Sequence, residues 1–139
     1  MRKALTLLTA LAALAACGGG VRDDLSSRDQ ELCDIVLDEE KPIGFLSAQL
    51  DELIENDGAF SSEGDAFAFT QVPVGRSADE LRARTDGYID DSELESAAED
   101  LDGSLFDLQL AADEGSSIDT DTLDSAKESI GDMAAVCTG

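Results

Sequence analysis

The chain of 139 residues has no histidine, no tryptophan and a single tyrosine, Tyr88. Without histidine, the commonest general base and the commonest metal ligand are both missing. A serine nucleophile would have no imidazole to activate it, and there is no glycine-rich loop to cradle a phosphate. Two carboxylates could in principle hydrolyse a glycosidic bond, but no pair stands out among 32 acids, and aromatic platforms for a sugar are scarce. The composition points away from an enzyme and implies no cofactor.

Bases are scarce as well. Beyond residue 16 there are seven, Arg22, Arg28, Lys41, Arg76, Arg82, Arg84 and Lys127, against all 32 acids, a formal charge of −25 for that part. Such a surface repels phosphate backbones and anionic headgroups, so nucleic acid is excluded as a partner; basic proteins, cations or a salty exterior suit it. Acidic chains are often disordered, but 42% hydrophobic residues with clear periodicity argue for a folded domain here.

The one long apolar run is at the start. Arg2 and Lys3 precede Ala4 to Ala16, which are apolar apart from two threonines and end at Cys17 followed by three glycines. The layout is that of a secretory signal, too short to span a membrane comfortably. Its end, Leu14-Ala15-Ala16-Cys17, resembles the lipobox of bacterial lipoproteins. The resemblance covers residues 1–20 alone. It implies that residues 1–16 are removed and that Cys17 carries diacylglycerol. It also implies that the protein is anchored in a cell membrane or outer membrane, facing the extracytoplasmic side. Two acyl chains suffice for stable anchoring where one does not. Residues 17–24 then read as the lipidated cysteine and a flexible tether of at most about 25 Å, and residues 25–139 as one acidic helical domain.

With Cys17 given to lipid, Cys33 and Cys137 remain as a pair in an oxidising compartment, which predicts a disulfide between the first and last structured segments. Closing a loop of about a hundred residues contributes roughly 4–5 kcal/mol in the chain-entropy account. Free thiols for redox or metal chemistry are the competing reading, disfavoured by the lack of a CxxC spacing and of histidine.

The pattern predicts an all-α fold, a small bundle of four or five helices with a long ordered loop. A first helix over Leu25 to Glu40 is capped by Ser26 or Ser27, with Asp29 and Glu31 complementing its dipole. Pro42 starts a second, whose stripe is Ile43, Leu46, Leu50, Leu53 and Ile54, stopped at Asn56-Asp57-Gly58. Ala59 to Gly75, punctuated by serines, glycines and Pro73, reads as the ordered loop, with Phe60, Phe67 and Phe69 plugging the end of the core or forming an apolar patch. Ser77 with Glu80 reads as a capping box for a short third helix to Thr85. After a cap at Asp91 or Ser92, apolar residues at Leu94, Ala98, Leu101, Leu105, Leu108 and Ala112 make a heptad seam. The last helix, from about Thr120, has Leu123, Ala126, Ile130, Met133 and Cys137 on one line, which turns Cys137 toward the core.

One further stretch carries a chemical possibility. Asp86-Gly87-Tyr88-Ile89-Asp90-Asp91-Ser92-Glu93 looks like the second half of an EF-hand calcium loop, with Asp86, Asp90 and Glu93 as ligands. The first and third ligand positions fall on Arg82 and Arg84, which would put two positive charges where the cation must sit. Capping of the following helix accounts for the same acids. The expectation is therefore a lipid-anchored, non-enzymatic partner-binding or accessory module with a basic or apolar protein partner. A cation-binding lipoprotein using the Asp86–Glu93 turn is the alternative, and a carboxylate-dependent hydrolase of envelope polymers a third.

Overall fold

In the computed structural model, residues 21–85, 89–111 and 115–139 are described; Cys17, Asp86 and Ala112 lie outside them. The first helix, α1 (Ser27–Leu37), begins where Ser26, in extended conformation, accepts the N–H of Asp29 on its hydroxyl. It buries Leu32, Cys33, Ile35 and Val36. The chain turns at Asp38, whose carbonyl accepts the N–H of Lys41, and α2 (Pro42–Glu55) starts with Pro42 in its first turn. Gly44 is buried there with the Asp38 carbonyl occupying the place of a Cβ, so the turn lies directly on α2.

The segment read from sequence as an ordered loop is helical for most of its length. After Ser62, which accepts the N–H of Asp65, α3 (Glu63–Phe69) continues through one π turn (Thr70–Val74) into α4 (Gly75–Thr85). Pro73 explains both the expectation and its failure. It has no N–H for an α-helical bond and its ring crowds the carbonyl four residues back, but the wider π turn relieves both. Phe69 is buried and meets the half-buried Phe60 with ring centroids 5.5 Å apart, whereas Phe67 points to solvent. Ser77 is consequently no cap. It sits fully buried inside the helix and donates its hydroxyl to the Pro42 carbonyl at 3.1 Å.

The remaining two helices follow their sequence patterns. In α5 (Ser92–Ala111) Leu94, Ala98, Leu101, Leu105 and Leu108 are buried. In α6 (Thr120–Thr138) Leu123, Ala126, Ile130, Met133 and Cys137 are buried. The two pack along one another, and α6 also packs on α1 and α2, so α6 is the hub of an all-α bundle. Among the described residues there is no sheet, only an isolated antiparallel bridge between Ala59 and Ser117. Cys33 and Cys137 form a disulfide across 104 sequence positions, both cysteines fully buried.

Gly58 fixes one end of the bundle. Its φ is +76°, its carbonyl accepts the N–H of Ile118, and the Ile118 carbonyl stands where a Cβ would go. Only glycine satisfies both conditions without strain.

Candidate functional site

At the opposite end the N-terminal segment is held, not free. The Arg22 N–H donates to the Cys137 carbonyl at 2.8 Å, and its guanidinium donates to the Val136 carbonyl at 3.0 Å. The same guanidinium takes Asp24 through two bonds of 3.1 Å and Asp91 through one of 3.0 Å. Val21 packs against the core. A flexible tether reaching to Asp24 is thus corrected: the chain is already docked on the end of α6 by Val21 and Arg22.

Asp91 is the cap of α5, accepting the N–H of Leu94 at 3.0 Å on one oxygen while Arg22 engages the other. That backbone bond, and then the Arg22 bond, hold its carboxyl below the usual aspartate range. Asp24 is lowered too, by its bond from Arg22, and Arg22 itself is raised by Asp24 and then Asp91. Asp29, read from sequence as a dipole partner for its own helix, reaches across instead. It is buried, and its two oxygens accept the N–H groups of Asp90 at 3.3 Å and Asp91 at 2.9 Å. Arg22, Asp29 and Asp91 together seal the start of α5 against the end of α6.

The calcium-loop positions are described only in part. Asp86 lies outside the described residues. Glu93 and Asp90 are exposed, and the Asp90 N–H is committed to Asp29. Arg82 pairs with Asp102 at 3.2 Å, and Arg84 with Glu80 and Glu31 at 3.5 and 3.7 Å. Among the described residues no group of three or more acidic or cysteine side chains converges to hold a metal ion. A cleft of about 300 Å³ between α4 and α5 is lined by Leu81, Arg82, Ile89, Glu95, Glu99 and Asp102. Its acids stand one turn apart along α5, and the Arg82–Asp102 pair occupies its edge.

The surface carries more apolar area than its charge suggests. Phe45, Phe67, Val72, Phe106 and Leu110 are each more than half exposed, between 51% and 54%. Phe106 and Leu110 are one turn apart toward the end of α5 remote from Arg22. Phe45 and Val72 line a smaller groove of about 130 Å³, with Pro42, Pro73, Glu40, Lys41 and Arg76. The sequence marks Phe67 as a patch candidate. It gives no sign of the Phe45–Val72 groove, because the two residues are brought together only by the π turn.

None of the described helices is long and apolar enough to cross a membrane. No protein-family model, no curated protein and no solved structure matches this chain.

Proposed function

We propose that the protein is a lipid-anchored extracytoplasmic module that acts by binding a partner through exposed apolar side chains. The observation carrying this reading is that, among the described residues, five large apolar side chains are each more than half exposed on a domain rich in acids. Isolated exposed hydrophobic residues are ordinary, but paired ones, as at Phe106–Leu110 and Phe45–Val72, make patches that interaction sites use. The buried Cys33–Cys137 disulfide supports residence in an oxidising compartment.

The anchor reading gains a geometric consequence from Arg22. It lies five positions on from Cys17, at most about 18 Å of extended chain. An acylated Cys17 would therefore hold the Arg22 end of the bundle toward the lipid. Leu110 would stand about 28 Å further out along α5, given its rise of ~1.5 Å per residue. The lipid restrains a domain whose charge would otherwise drive it from an anionic surface.

Photo-crosslinking amino acids at Phe67 and Phe106, with Asp100 as an acidic-face control, test the reading in intact cells. One discrete protein adduct at the apolar positions and none at the control is expected. No adduct at either apolar position overturns partner binding. Intact mass of membrane-extracted protein tests the anchor: a chain starting at residue 17 with a diacyl adduct is expected, and an unmodified chain starting elsewhere refutes it.

A further inference from the structure

We propose that the groove between the start of α2 and the π turn binds the C-terminus of a partner polypeptide, taking its last, apolar side chain and its α-carboxylate. The inference rests on the partner-binding reading and assigns one site to it.

Charge is the first observation. In a chain with 32 acids, a base is expected to find an acid, and most do. Arg22, Arg82, Arg84 and Lys127 are all in ion pairs, and Arg28 is engaged as well. Lys41 and Arg76 alone among the described bases have a side chain with neither an ion pair nor a hydrogen bond. Both line the same groove, together with the apolar Pro42, Phe45, Val72 and Pro73. An arginine and a lysine left unneutralised beside exposed apolar area are available to an incoming anion, the arginine through a two-point contact with a carboxylate.

The groove is also held in shape before anything enters it. The buried Ser77 hydroxyl bonds the Pro42 carbonyl and so fixes the start of α4 to the start of α2. The Phe45 N–H is bonded to the Lys41 carbonyl at 2.8 Å, and Gly44 is pressed against the Asp38 turn. Two proline rings stiffen the walls. A site built this way loses little conformational freedom on binding.

Size and field then select the occupant. Sites for cofactors and drug-sized ligands span about 300–1,000 Å³. About 130 Å³ accommodates one side chain. A single residue offers an apolar side chain and a carboxylate together only at a chain's C-terminus, a recognised mode of peptide capture. Glu40, also at the groove, offers an acceptor for a peptide N–H. A polyanion or an anionic bilayer would meet the repulsion of the whole domain, whereas one carboxylate feels mainly the charges lining the groove, Lys41 and Arg76 against the single acid Glu40.

The test uses the full chain and two acetylated tetrapeptides ending in leucine, one with a free carboxylate and one amidated, followed by calorimetry and amide chemical shifts. The free acid should bind, with shifts at Phe45, Val72 and Arg76, and the amide about tenfold or more weaker. Lys41→Ala and Arg76→Ala should each bring the acid toward the amide, and added salt should do the same. No binding at about 5 mM peptide, equal binding of acid and amide, or binding indifferent to both substitutions overturns the proposal. Binding of the chain to phosphatidylglycerol vesicles that Arg76→Ala abolishes also overturns it, assigning the groove to a lipid surface. If the peptide result is negative while crosslinks at Phe67 and Phe106 persist, only the groove assignment falls; if those crosslinks are absent too, the partner reading falls with it.

Discussion

The buried carboxylate of Asp29 accepts the backbone N–H of Asp91 at 2.9 Å, 62 residues further along the chain. Asp91 caps its own helix with one oxygen and binds Arg22 with the other, and Arg22 reaches the carbonyl of Val136. A single polar chain thus connects α1, the start of α5, the N-terminal segment and the end of α6. Two neighbouring acids coexist here because the donors meeting them are backbone N–H groups at the positive end of α5 and a guanidinium.

Removing the Asp29 carboxylate takes the acceptor from two part-buried N–H groups. Asp29→Ala should cost on the order of 1 kcal/mol, the low end of the range for an unsatisfied buried donor, because these N–H groups are only part-buried. Asp29→Asn keeps one acceptor oxygen and should cost less. Urea denaturation of the two variants, compared at equal m-value, gives the answer, and an Ala variant as stable as the parent would contradict the capping role.

Acid should weaken the same junction. The folded-state carboxyl of Asp91 is held low by the Leu94 N–H and then by Arg22. A depressed folded value means the contribution is complete above the unfolded aspartate value of about 3.9 and is lost as pH falls through the folded one. Asp24 adds little because its side chain is 72% exposed. Melting temperature should therefore drop more steeply between about pH 5 and pH 3 in the parent than in Asp91→Asn. Parallel curves would show that Asp91 does not report the junction.

The sequence reading succeeded where the governing interactions are local or periodic and failed where they are long-range. Ser26 and Asp91 are caps because an N-cap bonds an N–H three residues on, a relation visible in one dimension. The seam from Leu94 to Leu108 and the line from Leu123 to Cys137 are helix periodicity, and Cys137 on that line already implied an inward thiol. Pro73 misled because a proline that ends an α-helix can be absorbed by a single π turn, and no local rule distinguishes the two outcomes. Asp29 misled for another reason: the N-terminus nearest in sequence is not the one it serves in space. Lys41 and Arg76 are 35 residues apart, like the Ser77–Pro42 bond beside them, and nothing in a linear pattern announces that both lack partners.

Glycine substitutions separate geometry from propensity. Gly58→Ala must place a methyl group at the Ile118 carbonyl and hold a positive φ, so a loss of at least about 1–3 kcal/mol is expected. Gly103 and Gly131 lie inside α5 and α6 with nothing within 4 Å of a Cβ. Alanine at either should add about 0.5–1 kcal/mol through helix propensity. Thermal melts of the three variants should show the one downward and the two upward shifts.

The disulfide ties the first helix to the last, and both its cysteines are inaccessible. Replacing both cysteines by serine should lower stability by about 4–5 kcal/mol on the chain-entropy account, or somewhat less where the unfolded chain stays compact. Because the cysteines are buried, reduction of the native protein should proceed only as fast as it opens, so thiol release should track the unfolding rate. Rapid release under native conditions would contradict the buried pair.

Salt tests what the acids do. With 32 acids against seven bases after residue 16, self-repulsion disfavours the compact state, and screening shortens its range to about 10 Å at 0.1 M ionic strength. The melting temperature should therefore rise with sodium chloride. If the acids serve only as a charged surface, calcium chloride at the same ionic strength should raise it by an amount attributable to screening by a divalent ion. It should then grow smoothly with concentration and be unaffected by Glu93→Gln. A saturable shift at millimolar calcium, abolished by Glu93→Gln or Asp90→Asn, would instead establish a cation site at the turn before α5. That result would favour the cation-binding reading over partner recognition. The Arg82–Asp102 and Arg84–Glu31 pairs argue for the smooth response, since each engages a carboxylate with an arginine of the helix that leads into that turn.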